Sequence, residues 1–151
     1  MVLEWRGDFI FDKITEAVAQ GAMTTAEDIL ADAVRNAPKM TATLRNSGTI
    51  SYKILDSKAI YQQAKKGTKQ AIPNVDKNKH RIYISFNTPY ARRQHEDLTF
   101  DHTGEGKYYT FGGKKTYQKE GGAKYLEKAW NANIKEFKAN VTLESKRLGL
   151  L

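Results

Sequence analysis

The first 37 residues constrain this chain more than any other part of it. Small or apolar residues recur at Ile10, Ile14, Ala17, Gly21, Thr25, Ile29, Ala33 and Ala37. Steps of three and four place them on one face of a helix, and Phe9, Val18, Ala22, Ala26, Leu30 and Val34 broaden the stripe. Asp8 stands where an N-cap would, Asp12 and Glu16 complement the positive end of the helix dipole, and Arg35 complements the negative end. Pro38 ends the pattern, because a proline disfavours helical geometry in the residue before it. Uninterrupted, such a helix spans about 43 Å at 1.5 Å per residue. Gly21 followed by Thr24 and Thr25 is where the pattern admits a kink or a break into two helices.

Beyond Pro38 the period changes. Ser47 to Leu55 mixes β-branched and aromatic residues with polar ones and reads as a strand. Lys65 to Lys79 is lysine-rich, carries Gly67, Pro73 and Asn74, and reads as a mobile loop. Arg81 to Asn87 alternates Ile82, Ile84 and Phe86 with Tyr83 and Ser85, the clearest strand in the chain. Pro89 then opens a short helix through Glu96. From Leu98 to Glu120 the chain is rich in Gly, Thr, Lys and Tyr and reads as an extended excursion, a hairpin turning at Gly112 and Gly113. A last helix is expected from about Ala123 to Arg147, with Leu126, Trp130, Ile134, Phe137 and Val141 as its apolar stripe and Gly149 as its stop. The expected fold is a single α+β domain over residues 1–151: a small, mostly antiparallel sheet from roughly 45–55 and 81–87 with one or two more strands, flanked by long N-terminal and C-terminal helices, with extended loop excursions.

Composition removes several function classes. No cysteine among 151 residues excludes disulfides, thiolate metal sites and a cysteine nucleophile. No apolar run approaches the roughly 18 residues of a membrane span, and Phe9-Ile10-Phe11 is hemmed in by Asp8 and Asp12, unlike a secretory signal. A cytoplasmic chain without a membrane partner is expected. The net charge of +8 points to a polyanion, but its distribution matters more. Residues 1–37 hold three basic and seven acidic groups (−4), 38–81 ten and two (+8), 82–113 three and four (−1), and 114–151 nine and four (+5). Segments of opposite sign suit contact between copies of the chain as well as with DNA.

Few residue constellations carry chemistry. His95-Glu96-Asp97 with Asp101-His102 groups metal-type ligands, but the second histidine falls seven residues after the first, not the four that would turn both toward one metal on a helix. A polar contact between elements or subunits is the better reading, and His80 reads as solvated. Gly104-Glu105-Gly106 and Gly112-Gly113 lack the context of a phosphate loop, and no serine has a nucleophile elbow. Neither a catalytic residue, a metal nor a cofactor is expected. Lys65, Lys66, Lys69, Lys77, Lys79 and Arg81 form a basic stretch, and basic residues interleave with Tyr108, Tyr109, Phe111 and Tyr117. That pattern permits salt-sensitive, sequence-independent DNA contact, so a non-specific DNA-binding module of phage or prophage origin is an alternative function.

Three stretches, in order, resemble one family. Ala37-Pro38-Lys39-Met40-Thr41-Ala42-Thr43-Leu44-Arg45-Asn46-Ser47 is similar to that family's Ala-Pro-x-x-Thr-Gly-x-Leu-Arg-x-Ser, which follows a long first helix. Tyr90 to Glu96 resembles its Tyr-Ala-x-x-x-x-Glu, and Gly121 to Trp130 resembles the segment that opens its last helix. The family comprises the minor capsid or neck proteins of long-tailed bacteriophages, also described as head-tail connector or tail-completion proteins. Ala42 stands where that family has glycine, which argues against a positive φ at the turn. Leu44 would anchor the turn and leave Arg45 free for a carboxylate, with Glu96 as its expected structural partner. The resemblance implies a non-enzymatic virion protein assembled in the host bacterial cytoplasm. Copies would form a ring, hexameric or dodecameric, in the neck between head-completion and tail-terminator or tail-tube proteins, with DNA passing through the lumen. The basic stretch and the tyrosine-rich excursion 98–118 are the candidates for intersubunit contact.

Overall fold

The computed structural model describes residues 7–38, 42–98, 109–111, 114–116 and 122–151. Helix α1 (Gly7–Asn36) runs 30 residues without a break, about 45 Å at the usual rise per residue. Gly21 is therefore no breaker. A Cβ built there would lie 2.6 Å from Val141 Cγ2 and 2.7 Å from Val141 N, so the glycine lets the last helix cross α1 at backbone distance. Beside it Thr25 donates to the Gly21 carbonyl at 2.8 Å and its hydroxyl accepts from Asn140 Nδ2 at 3.0 Å. The residues whose propensity suggested a break are those that make the crossing.

A short helix α2 (Thr43–Asn46) follows, then strand β1 (Gly48–Ser51) and helix α3 (Ser57–Lys65). Residues 45–47 and 52–55 of the expected strand region thus lie outside β1. Helix α3 was not foreseen, although Asp56 caps it by accepting from the Lys58 amide at 2.9 Å. Strand β2 (Tyr83–Phe86) pairs antiparallel with β1, Gly48 opposite Phe86 and Ser51 opposite Tyr83. Helix α4 (Ala91–Glu96) comes where Pro89 announced it. Strands β3 (Tyr109–Phe111) and β4 (Lys114–Thr116) form a second antiparallel pair on either side of residues 112–113. The chain ends in α5 (Tyr125–Asn133), one 3₁₀ turn (Ile134–Glu136) and α6 (Phe137–Arg147), a long bent rod packed on α1. The architecture is α+β, with long first and last helices around a small two-stranded antiparallel sheet.

The expected apolar stripe of the last helix is displaced in part: Leu126 packs on the core and Val141 on Gly21, but other members turn outward. Tyr125 and Ala129 are buried against α1, whereas Trp130 is 49% exposed and Ile134 lies at the surface. Tyr125 and Ala129, one helical turn apart, take the inward positions of α5 beside Ala33 and Ala37, and Trp130, one residue further on, turns outward. Two apolar clusters result. Ile29, Ala33, Ala37, Leu44, Ala91, Tyr125 and Ala129 make one, and Met23, Ala26 and Ile50, with Val75 and Ile82 packed on them, make the other.

Candidate interaction surface

The three stretches that carry the family resemblance meet in the first cluster. Ala37 and Leu44 come from the first stretch, Ala91 from the second, and Tyr125 and Ala129 from the third. Hydrogen bonds join the same segments. Helix α1 ends with carbonyls that have no intrahelical donor, and Arg45 reaches back to two of them, Nη2 to Arg35 O at 2.9 Å and Nε to Ala37 O at 2.8 Å. The Gly122 amide covers Asn36 O at 3.0 Å. Arg45 is thus spent on the negative end of α1, not on Glu96. The expected pair is replaced because a helix end supplies acceptors closer than any carboxylate.

Glu96 has other partners. Lys124 Nζ lies 2.5 Å from its Oε2, and His95 Nδ1 lies 2.9 Å from Oε1. The hydrogen bond from Lys124, then that with His95, holds the Glu96 carboxyl below its ordinary 4.5, while Glu96 and then Glu127 push the Lys124 ammonium up. Lys124 takes a left-handed backbone (φ 59, ψ 27), and its amide donates to His95 O at 2.7 Å. Tyr125 beside it is buried, meets Phe86 and His95 edge-on at 4.9 and 5.0 Å, and donates to Ala91 O at 3.3 Å. Burial, then the nearby Tyr90, pushes its phenol well above the usual tyrosine range. His95 is consequently a packed bridge between α4 and α5. Among the described residues no group of three potential metal ligands converges; Asp101 and His102 lie outside them.

A polar core that sequence reasoning missed joins the strands. Asn87 Nδ2 donates to Ser47 O, Thr49 Oγ1 and Ser85 Oγ, each at 3.1 Å, and its Oδ1 accepts from Ser57 Oγ at 3.2 Å. The clue was the small hydroxyl residues at the start of β1 and the end of β2, which meet only once the antiparallel register is known. Without a base or acid in the network, it fixes register and offers no reaction chemistry.

The basic stretch is less free than expected. Val75 packs on the core, the Asp76 amide donates to the Tyr52 hydroxyl at 3.0 Å, and Lys77 Nζ pairs with Asp12 on α1 at 2.5 Å. Lys65, Lys66, Lys69 and Lys79 are exposed. Tyr109 and Phe111 are on β3, whereas Tyr108 and Tyr117 lie outside the described residues. The described surface carries an apolar groove of about 570 Å³. One wall is α1 from Ile14 to Ile29, the floor includes Ile82 and Ile84, and the far wall is Trp130, Ile134 and Phe137. Asp76, Lys77, Lys79 and His80 also line the groove, Lys77 being paired with Asp12. No helix among the described residues is long and apolar enough to cross a membrane. No family model, curated protein or solved structure matches the chain.

Proposed function

We propose that this chain is a structural subunit of the neck of a long-tailed bacteriophage, forming part of the oligomeric ring that joins the portal side of the capsid to the tail. The observation that carries the reading is the convergence of the three neck-like stretches on one core, where they also cap the end of α1 and bridge α4 to α5. An ordered set of short motifs is expected to travel together when its members build one structural unit. The surface fits an assembling protein: large apolar side chains stand exposed on α1 and α5, and acidic and basic segments are separated. Its partners in this reading are copies of itself, six or twelve to a ring, and the adjacent head-completion and tail-terminator or tail-tube proteins. Mass photometry of the protein mixed with its neck partners is expected to show a discrete ring. Monomer under every combination would overturn the proposal.

Exposed Lys65, Lys66, Lys69 and Lys79, with exposed Lys135, Lys138 and Lys146 on the last helix, favour one second reading, a non-specific DNA-binding module. Mobility shift on duplex DNA across a salt series separates the two. A steep salt slope with submicromolar binding near physiological salt supports the module, whereas DNA merely passing through a ring lumen requires only weak contact.

A further inference from the structure

The last helix is anchored by one side and presents the other to solvent. Asn140 donates to Thr25 Oγ1 at 3.0 Å and Val141 lies against Gly21, so these two residues mark the side of α6 turned to α1. Lys135, Lys138, Thr142 and Lys146, spaced by three, four and four residues, fall on the side turned away, where they line one open depression with Ala139 and Leu143. All three lysines are exposed. The carboxylates of these helices offset them little. Glu127 lies 3.2 Å from Lys124 and Glu144 lies 2.6 Å from Arg147, which leaves Glu136, beside Lys135, as the acid on the flank of the row.

From Lys135 to Lys146 the row runs about 17 Å at the usual helical rise, the axial length of about five successive phosphates on one strand of duplex DNA. We propose that this outer face of α6 is the chain's contact with the phosphate backbone of duplex DNA, each lysine meeting one phosphate. Ala139 and Thr142 are small and let the strand come close between the lysines. Thr142 spends its hydroxyl proton on Lys138 O at 2.9 Å, so the donors offered to phosphate are the three ammonium groups. No aromatic side chain lines the depression to stack on a base, and the contact is therefore to backbone and not to sequence. Leu143 alone among the lining residues is large and apolar, too little for the centre of a protein interface or for insertion into a lipid surface. The stretch 65–79 is the poorer site. Lys77 is paired with Asp12, Lys65 stands 5.5 Å from the centre of the Tyr61 ring, and Lys65, Lys66 and Lys69 gather around the turn at Gly67 instead of forming a row. The assignment deepens the DNA-binding reading and rests on its premise that the chain touches DNA.

Fluorescence anisotropy of a short labelled duplex, followed between about 50 and 200 mM salt, tests the assignment. Changing the three lysines together (Lys135→Gln, Lys138→Gln, Lys146→Gln) should lower the slope of log affinity against log salt by about 2.7, at about 0.9 per phosphate contact. Over that range the unaltered protein should then lose about 40-fold more affinity than the variant. The same three positions changed to arginine keep the charges and should keep the slope. Lys65→Gln, Lys66→Gln and Lys69→Gln together should move it by less than the value of one contact, about 0.9. An unchanged slope in the glutamine variant at 135, 138 and 146, an equal fall in the arginine variant, or the large fall appearing in the 65–69 variant instead would overturn this site and leave DNA binding standing. Absence of binding by the unaltered protein at every salt concentration would overturn the DNA-binding reading and the site with it. Self-association without DNA, seen by light scattering and lost in the glutamine variant at 135, 138 and 146, would make the row a protein contact and overturn the proposal.

Discussion

At the scale of residues, backbone strain and charge are concentrated where the neck-like stretches meet. Ala42 adopts φ 60 and ψ −12, so the turn has the left-handed geometry that alanine in place of glycine argued against. The turn is held by its surroundings, with Leu44 buried after it and Arg45 tied to the end of α1, and the alanine bears about 1–2 kcal/mol of strain. Ala42→Gly relieves the strain but adds freedom to the unfolded chain, so a net gain of about 0.5 kcal/mol is expected in urea unfolding. Ala42→Val should lose at least about 1 kcal/mol, and a neutral Val substitution would refute the strain. Glu96 yields a pH dependence. Its folded carboxyl titrates below the ordinary 4.5, so the stability from its pairing is fully present above that value and is lost as pH falls through the lowered one. The difference in urea midpoint between the unaltered protein and Glu96→Gln should therefore be present at pH 7 and shrink as the pH falls below the ordinary carboxylate range. A gap unchanged below that range would show that packing, not ionisation, is what the substitution disturbs. Arg45 shows what a sequence does not reveal at this scale. Its acceptors are main-chain carbonyls left over at a helix end, and these have no side-chain signature.

At the scale of elements, legibility followed periodicity. Helix α1 was readable to within a residue or two at its C-terminal end because its stripe runs over eight turns and Pro38 marks the stop. Strand β2 was readable from alternation. Helix α3 was not, because only Ile60 and Ala64 are buried among lysines and glutamines, too few to show a period, although Asp56 stood ready as its cap. The last helix was found, and Leu126 and Val141 of its expected stripe do pack inward, but Tyr125 and Ala129 were missed as its buried residues and Trp130 lies half-exposed. Gly21 belongs to the same lesson: propensity reads it as a weakness, while the crossing with Val141 requires it. Gly21→Ala gains about 1 kcal/mol of helix propensity yet forces α6 outward from a backbone contact, so a net loss of about 1–3 kcal/mol is expected by chemical denaturation. A stabilised Gly21→Ala protein would mean that α6 does not sit against α1 at that point. The candidate surface was legible in part. The lysines of 65–79 were identified, but the groove depends on which way Trp130 and Ile134 turn, a matter of three-dimensional packing.

For the whole molecule, the surplus of positive charge divides into two uses. Part is spent inside the chain: Lys77 on Asp12 ties the lysine-rich stretch to α1, and Arg35 pairs with Asp32 one turn back on the same helix. The remainder lies beside exposed apolar side chains, an arrangement that isolated soluble domains rarely maintain. If copies cover that surface, folding and association are linked, because assembly binds the folded state and not the unfolded one. The melting temperature should then rise with protein concentration, by on the order of 5 °C over a hundredfold range for a chain of this size. Trp130→Glu, which places a charge in the groove while leaving the buried Ala129 face of α5 in place, should flatten that dependence and leave the melting temperature at the dilute value. Differential scanning fluorimetry across the concentration series reads both outcomes. A melting temperature independent of concentration in the unaltered protein would separate folding from assembly and remove self-association as the reason for the exposed face.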